Sequence, residues 1–351
     1  MSKTSIRIMS MNVENLFSPG NAFYGSQYTE SEYDAKLDWI GSMIAQCHVH
    51  VATLVEIGED AAYCIKDIIA SVKKKDKTGW PDFAFKFLAQ PNMGGTKIRT
   101  AVISRFELSD TESIATYPDN FRVDLHKPGT NSEEINNWVR VPSTRFSRPI
   151  AKVTVNPPRN ANPFNLFVVH LKSKRPNKAK HDSYNEAIGI ARSAVQRNVE
   201  AAALRYYFDS FLPAQYEADK NIPTFVVGDF NDTPTSVPFE NIRGSFDKVP
   251  GPASTWSEPD KKRLISCARL HLKMSAYEDK LFSYIHNESF SLIDQAFVTE
   301  HLVKKFVRME IYNDHVLRHQ DMSSPTLQEK QWKSKVSDHG VVVVEFKRVL
   351  K

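Results

Sequence analysis

Residues 225–234 read FVVGDFNDTP and are the most specific stretch of this chain. Apolar, strand-forming residues end there at Gly228, which lets the backbone turn sharply. Asp229 and Asn231 follow two positions apart, so both side chains face one cleft if the strand continues through them. In such a cleft one side chain can orient a water molecule while the other holds a phosphate. The stretch predicts a strand that delivers polar groups to a catalytic site.

Polar residues stand at the ends of other apolar, strand-like runs in the same way. A carboxylate at such a position can hold a divalent cation, and an imidazole can move a proton near neutral pH. The candidates are Asn12 after residues 6–11, Glu56 after residues 49–55, His170 after residues 164–169, and Asp338 with His339 before residues 341–346. Together these positions predict one site built from the ends of several strands.

Each of these residues also has a purely structural interpretation. Asn12 and the nearby Glu14 fit ordinary turn chemistry. Glu56 fits an acid that precedes a helix and interacts with its dipole, although Glu59 fits that interpretation better. His170 fits a hydrogen-bonded histidine of the core. One direct glutamate is nevertheless enough for magnesium, which usually keeps several waters.

An acidic residue, Asp294, interrupts the apolar run of residues 291–298. Burying a carboxylate is costly unless it is paired. His339 is a natural partner, because a hydrogen bond to an aspartate fixes the imidazole tautomer and raises its basicity. We therefore expect these two residues to form a catalytic pair.

Three basic residues are candidate contacts to substrate phosphate. Arg99 precedes the strand-like residues 100–104, Arg148 follows Phe146 and Ser147, and Lys172 opens a basic loop after His170. Guanidinium groups match phosphate oxygens, and a basic loop can follow a nucleic-acid backbone. A solvated surface charge is the alternative for each of the three.

The composition is that of a globular protein with a mild basic excess. The chain has 351 residues, with 46 Lys or Arg and 41 Asp or Glu, so its formal net charge is +5. This excess favours nucleic acid as a partner, or simply provides solubility. The scattered Cys47, Cys64 and Cys267 predict neither a disulfide framework nor a zinc site. No apolar signal region or membrane-spanning run is present, so we expect a cytoplasmic protein without a membrane partner.

Strand-like runs alternate with few helical ones along the chain. Spacings of three and four predict helices near residues 33–44, 60–72 and 188–206. Two polar stretches, residues 109–142 and 313–335, lack periodicity and are predicted surface insertions. Because no linker divides the chain, residues 1–351 are predicted to form a single domain of two packed sheets with helices outside.

Taken in order, these motifs resemble those of the endonuclease/exonuclease/phosphatase superfamily, the deoxyribonuclease-I-like fold. The resemblance covers almost the whole chain and rests on residues 9–12, 55–56, 146–148, 169–172, 228–231, 293–294 and 337–339. It implies an α/β fold, a four-layer sandwich of two packed, mostly antiparallel sheets flanked by helices. The site would lie at one edge of the two sheets.

The resemblance also implies a divalent cation, Mg²⁺ with Mn²⁺ as a substitute. The cation would lie near Asn12 and Glu56, with Asp338 close by. The chain departs from the family where an Asp often precedes the second strand and a Gln precedes its Glu. Those places hold His50, or residues near it, and Val55, which we interpret as structural differences.

The remaining roles follow from the same resemblance. Asp229 would orient or help to deprotonate the attacking water. Asn231, His170 and His339 would bind or stabilise the phosphoryl oxygens, and Asp294 would orient His339.

The resemblance narrows the substrate as well. Arg148 matches a family position that contacts substrate phosphate, and Arg99 is a further candidate for that role. The signatures of inositol-polyphosphate phosphatases and apurinic endonucleases are missing, as is the export signal of secreted sphingomyelinases. With those members set aside, the chain is similar to bacterial-type nucleases of the superfamily, which hydrolyse DNA or RNA phosphodiesters by in-line water attack. The alternatives are an enzyme acting on a lipid or small-molecule phosphate, and a catalytically silent binding module.

Overall fold

The computed structural model of the protein describes twelve segments of the chain. They are residues 5–76, 86–89, 97–126, 138–141, 143–158, 161–177, 186–216, 222–244, 261–274, 281–286, 288–320 and 335–348.

Strands outnumber helices among the described residues. In chain order they are β1 (Ser5–Leu16), β2 (Val51–Ile57), β3 (Lys86–Ala89), β4 (Arg99–Ser104), β5 (Glu107–Thr116), β6 (Asp124–His126), β7 (Trp138–Arg140), β8 (Arg145–Asn156), β9 (Phe164–His170), β10 (Thr224–Asp229), β11 (Ile265–Ser266), β12 (Tyr284–His286), β13 (Ser289–Ser291), β14 (Asp294–Val298), β15 (Phe306–Tyr312) and β16 (Val341–Lys347).

The helices of the same residues vary widely in length. They are α1 (Glu30–Gln46), α2 (Ala61–Lys75), α3 (Glu186–Ala214), α4 (Val237–Arg243), α5 (Cys267–Met274) and α6 (Asp314–Gln320), with a 3₁₀ helix at Glu300–Lys305. None of the helices within the described segments is both long and apolar enough to cross a membrane.

The larger strands form two six-stranded mixed sheets. The first sheet has the order β15-β16-β1-β2-β4-β3, and the second has the order β11-β14-β10-β9-β8-β5. In each sheet one central pair is parallel, β1 with β2 and β9 with β10, and the other pairs are antiparallel. The predicted pair of mostly antiparallel sheets is confirmed.

Alternation along the strands places apolar side chains on both faces of each sheet. One face of each sheet packs against the other sheet, so Ile8 and Val344 of the first share a core cluster with Val168 and Val227 of the second. This cluster is the centre of the molecule.

The outer faces of the sheets are covered by helices. The first sheet buries Met9 against Ile40 of α1 and Ile65 of α2. The second sheet buries Phe167 in a cluster with residues of α3 and α4. The result is the four-layer sandwich, helix–sheet–sheet–helix, that the resemblance implied.

Helix α1 begins where the sequence predicts it. The hydroxyl Oγ1 of Thr29 accepts a hydrogen bond from Glu32 N at 3.3 Å, and the Glu32 carboxylate accepts one from Thr29 N at 3.0 Å. This reciprocal capping box satisfies two backbone donors that a helix start leaves unpaired.

The predicted insertion at 109–142 is wrong in its first part. Residues up to Thr116 belong to β5, which pairs with β8 at the edge of the second sheet. Most of this strand faces solvent, so it lacks the apolar alternation that reveals a half-buried strand. In the second predicted insertion, 313–335, α6 occupies Asp314–Gln320. Residues 127–137, 142 and 321–334 lie outside the described residues.

Candidate active site

The two parallel strand pairs bring the predicted site residues to one edge of the sandwich. In the first sheet Asn12 of β1 lies opposite Val55, the residue before Glu56. In the second sheet Asp229 of β10 lies opposite both His170 of β9 and Asp294 of β14. Carboxyl ends of parallel strands meet at the same edge, and the packed sheets place the two edges side by side.

Asn12 joins the two sheets through its amide. Its Nδ2 atom donates to Glu56 Oε1 at 3.1 Å and to Asp229 Oδ2 at 3.2 Å. The same atom lies 3.4 Å from His339 Nε2. An amide nitrogen carries two hydrogens, which the two carboxylates accept. Residues from β1, β2, β10 and the turn before β16 therefore converge within hydrogen-bonding distance.

Left-handed backbone conformations turn two side chains into this cleft. Glu56 has φ 66° and Asn231 has φ 52°. The β2–β4 register shifts between Val55 and Ile57, so Glu56 occupies a bulge. Positive φ is uncommon for residues other than glycine and occurs often at functional sites.

Gly228 is required by the close approach of β9. It has φ +139°, and a Cβ atom at this position would lie 2.0 Å from the carbonyl oxygen of Val169. The sequence analysis explained Gly228 by a sharp turn of the backbone. The structure instead shows that β9 and β10 approach too closely here for a side chain.

Asp229 lies at the centre of the site with almost no exposure to solvent. Its Oδ1 atom accepts a hydrogen bond from Asn231 N at 2.7 Å, and its Oδ2 atom accepts one from Asn231 Nδ2 at 3.2 Å. Burial raises the pKa of Asp229 to about 7, although the positive charge of His339 favours the carboxylate. A carboxylate whose pKa is close to neutral can accept a proton from water.

His339 and Asp294 form the predicted pair across the two sheets. The distance from His339 Nδ1 to Asp294 Oδ2 is 2.8 Å, and both side chains are buried. Burial lowers the pKa of His339, but the negative charges of Asp294 and Asp338 outweigh it and raise that pKa well above 6.5. This direction favours the positively charged imidazole, which can stabilise negative charge on a phosphoryl group.

His170 has the opposite electrostatic character. Its Nε2 atom lies 3.7 Å from Glu56 Oε1 and 3.7 Å from Asp229 Oδ2. Burial, followed by the positive charges of Arg148 and His339, lowers the pKa of His170 well below 6.5. A neutral imidazole can donate one hydrogen bond or ligate a cation through its other nitrogen.

Two of the three basic candidates, Arg148 and Lys172, lie beside His170, and the third, Arg99, lies on the first sheet. Arg148 Nη1 donates to the Leu171 carbonyl at 2.8 Å, next to His170. Lys172 is in the same region, where burial and then the charge of Arg148 lower its pKa to about 8. Arg99 is buried at the start of β4, opposite Ile57, and its Nη1 donates to the Ile98 carbonyl at 3.0 Å.

Sequence reasoning assigned no role to three residues that shape the site. Ser337 Oγ donates to the Asn12 carbonyl at 2.7 Å and accepts from His339 N at 3.1 Å. The ring of Tyr284 lies 4.9 Å from that of His339. Glu200 of α3 accepts from Ser147 N at 2.9 Å and from Lys172 N at 2.8 Å. The sequence offered no signal for Glu200, because α3 exposes Ile188, Val195 and Tyr206 and so has no single apolar face on which an acid would stand out.

The family model described as the Endonuclease/Exonuclease/phosphatase family matches residues 9–339. The chain belongs to this family. Members of the family are metal-dependent phosphoric ester hydrolases, and so is this protein. No curated protein matches the chain in sequence.

Solved structures share the family fold at low sequence identity. The human Nocturnin catalytic domain with bound sulfate has 13% identity and a TM-score of 0.55, over 98% of this chain and 95% of that one. A humanized D. rerio TDP2 has 13% identity and a TM-score of 0.53, over 98% and 99%. An endonuclease/exonuclease/phosphatase from Bacteroides vulgatus has 12% identity and a TM-score of 0.51, over 99% and 100%. At these identities the likeness concerns the fold.

The donor atoms of the site suit the divalent ion that enzymes of this family use. Glu56, His170 and Asp229 each offer a ligand atom, and these atoms lie within 4.8 Å of one another. Asp229, Asp294 and His339 form a second such group, but the charged imidazole of His339 makes it less suitable. Carboxylate oxygens are the ligands that hard cations prefer.

Asp338 lies to one side of these groups. Its Oδ1 atom is 3.9 Å from His339 Nε2, and its backbone N–H donates to Glu14 Oε2 at 3.2 Å. Glu14, for which sequence reasoning found no firm role, is therefore in contact with the loop that carries Asp338.

Proposed function

We propose that the protein is a nuclease that hydrolyses phosphodiester bonds of DNA or RNA with the help of a divalent cation. The observation that carries this proposal is the convergence of Glu56, Asp229 and His339 on the amide of Asn12. These residues come from distant parts of the chain, and their burial and charge suit a phosphoryl-transfer site.

Mg²⁺ is the proposed cation, with Mn²⁺ as a substitute, and Asn12, Glu56 and Asp338 are the proposed residues that hold it. When bound, such an ion acts as a Lewis acid on a phosphoryl oxygen. The hard carboxylate oxygens of Glu56 and Asp338 support the choice, and Asn12 holds Glu56 in place through the hydrogen bond from its Nδ2 atom to Glu56 Oε1.

Side chains of the protein activate the water, bind the phosphoryl oxygens and orient His339. Asp229, with its pKa raised to about 7, orients the attacking water and takes its proton. The water oxygen forms a bond to phosphorus as the opposite P–O bond breaks. The leaving oxygen takes up a proton from solvent, to which Asp229 then releases the proton that it took. Asn231, His170 and the charged His339 donate hydrogen bonds to the phosphoryl oxygens, and Asp294 orients His339.

The surroundings of the site favour a polynucleotide as the substrate. Arg148 and Lys172 lie beside His170, and Lys174 and Arg175 extend the positive charge onto the exposed surface. Basic side chains in a row can follow successive phosphates of a nucleic-acid backbone. We assign Arg148, Lys172 and Arg99 to substrate phosphate, and we infer a DNA-binding or RNA-binding protein of the cytoplasm.

A substrate panel tests this proposal. Single-stranded DNA, duplex DNA, RNA, bis-p-nitrophenyl phosphate and p-nitrophenyl phosphate are incubated with the protein in Mg²⁺, in Mn²⁺ and in EDTA. We expect cleavage of at least one polynucleotide in either metal and none in EDTA. Hydrolysis of the monoester without cleavage of any polynucleotide would instead establish a phosphatase and overturn the nuclease.

A further inference from the structure

Lys36 of α1 is buried, yet it is absent from the mechanism. Only 1% of its surface is exposed. Its Nζ atom donates to the Glu14 carbonyl at 3.0 Å and to the Tyr28 hydroxyl at 3.0 Å, and it lies 3.8 Å from Glu14 Oε2. Burying an ammonium group is costly unless it is paired. Two of these three contacts are to Glu14, so Glu14 is the main partner of the buried lysine.

Glu14 in turn contacts Asn12 at the end of β1. Glu14 has φ 49°, and its backbone N–H donates to Asn12 Oδ1 at 2.9 Å. The β1–β2 register shifts between Asn12 and Leu16, so Glu14 lies in a bulge. Because Oδ1 of Asn12 is held by the Glu14 backbone, its Nδ2 faces Glu56 and Asp229. Lys36 therefore fixes the carbonyl of the residue that orients Asn12.

The carboxylate of Glu14 reaches the other side of the site. Its Oε2 atom accepts the hydrogen bond from Asp338 N at 3.2 Å, and it is the same atom that lies 3.8 Å from Lys36 Nζ. One buried positive charge thus contacts both the backbone and the side chain of Glu14. Through them it is linked to Asn12, whose Nδ2 atom holds Glu56 Oε1, and to Asp338. Glu56 and Asp338 are two of the proposed cation ligands.

We propose that Lys36 is a positioning residue that aligns Glu56, through the amide of Asn12, and Asp338 for binding of a divalent cation, and that it acts through Glu14. This inference rests on the proposed function only in the assignment of those two ligands to the cation. It does not depend on which phosphodiester is cleaved. A residue that only anchors α1 would contribute to stability and leave cation affinity unchanged.

The test measures Mn²⁺ binding by isothermal titration calorimetry on the full chain without substrate. Lys36→Met keeps the length of the side chain and removes its charge and donors. We expect the dissociation constant for Mn²⁺ to rise by about 10- to 100-fold, the range typical for losing a residue that orients a metal ligand. The matched control is Lys152→Met, which removes a partly buried lysine that pairs with Glu112 at 2.8 Å on the second sheet. We expect the control to bind Mn²⁺ like the wild type.

A double-mutant cycle tests the route through Glu14. Glu14→Ala keeps the backbone carbonyl that Lys36 contacts, so it provides a second variant if Lys36→Met does not fold. We expect Glu14→Ala to weaken Mn²⁺ binding, and the double variant to bind no more weakly than the weaker single variant. Losses that multiply in the double variant would overturn the route through Glu14. An unchanged dissociation constant in folded Lys36→Met or in Glu14→Ala would overturn the positioning role.

Failure of this inference is distinguishable from failure of the proposed function. A wild-type protein that binds Mn²⁺ but cleaves no polynucleotide would refute the nuclease, while the binding data would still decide the role of Lys36. A wild-type protein that binds no divalent cation would refute both.

Discussion

His339 Nδ1 lies 2.8 Å from Asp294 Oδ2, and this contact joins the first sheet to the second at the candidate active site. His339 precedes β16 and Asp294 begins β14, so the pair forms only when the sandwich is assembled. The backbone N–H of Asp294 donates to Ser283 Oγ at 3.0 Å, which fixes the start of β14. The carboxylate holds the imidazole in one orientation and favours its charged form.

Removal of either member of this pair is expected to slow catalysis without unfolding the protein. Asp294→Asn and His339→Ala should each lower turnover by roughly 10²–10⁴-fold, because the charged donor to the phosphoryl group is lost or misoriented. The double variant should be no slower than the slower single variant, since the two residues act as one unit. Steady-state kinetics on the cleaved substrate provides the measurement, with circular dichroism to verify folding. Wild-type turnover by His339→Ala would reject the assigned role.

Gly228→Ala is expected to destabilise the fold by more than about 2 kcal/mol, because strain and a backbone clash combine. Its Cβ atom would lie 2.0 Å from the Val169 carbonyl oxygen, and φ is +139°. Gly20→Ala is the matched control, since Gly20 has φ +90° but nothing within 4 Å of the position that a Cβ atom would take. Urea unfolding should give a much smaller loss for the control. Equal losses for the two variants would show that the contact with β9 has no energetic consequence.

The buried His50 is expected to make the protein less stable in acid. Burial, followed by the charge of Arg105, lowers its pKa from 6.5 to about 3, and its Nδ1 atom accepts from Arg7 N at 3.1 Å. Between these values the unfolded chain binds a proton that the folded protein does not. Stability should therefore fall as the pH drops from 6.5 towards 3, at roughly 1.4 kcal/mol per pH unit from this residue alone.

Urea unfolding of the wild type and His50→Asn at pH 7 and pH 5 isolates this contribution. Asparagine retains an acceptor for Arg7 N but does not titrate in this range. The loss of unfolding free energy on acidification should be smaller in His50→Asn than in the wild type. His48→Asn, at an exposed neighbouring position, should behave like the wild type. Equal acid sensitivity of His50→Asn and the wild type would contradict the buried, neutral state of His50.

The basic surface beside His170 is expected to make cleavage of a polynucleotide sensitive to salt. Neutralising Lys174 and Arg175 in a double glutamine variant should reduce the slope of log(kcat/KM) against log[salt] by about 2, close to one per phosphate contact. Lys73 and Lys74 are exposed on α2, outside the first sheet, and their glutamine variants should leave the slope unchanged. An identical slope in both double variants would remove this surface from the substrate path.

The sequence predicted which polar residues meet at one edge of the sheets better than it predicted the periphery of the fold. Asn12, Glu56, His170 and Asp229 follow apolar runs, so the positions of the strand ends were visible from hydrophobicity alone. Their meeting at one edge follows from the parallel pairing of β1 with β2 and β9 with β10. Edge strand β5 was missed because its exposed residues carry no apolar alternation.

The supporting residues were harder to predict, because their partners are distant in sequence. Lys36 lies on the same helical face as Tyr33 and Ile40, where a lysine normally marks the boundary between the apolar and the solvated side. Its burial depends on Glu14 and Tyr28, which a pattern within α1 does not reveal. The functional roles of all the site residues, Arg99 and Lys172 included, and the single domain over residues 1–351 stay predictions.

Cleavage of a labelled polynucleotide by the wild type and Glu56→Gln across a Mg²⁺ titration tests the central claim most directly. If the residues around Asn12 form one metal-dependent site, the wild type cleaves in Mg²⁺ and stops in excess EDTA. Loss of the carboxylate should then lower the rate at least about 100-fold, or shift the titration to much higher Mg²⁺. Undiminished cleavage in excess EDTA, or by Glu56→Gln at the same Mg²⁺ concentration, would contradict the account.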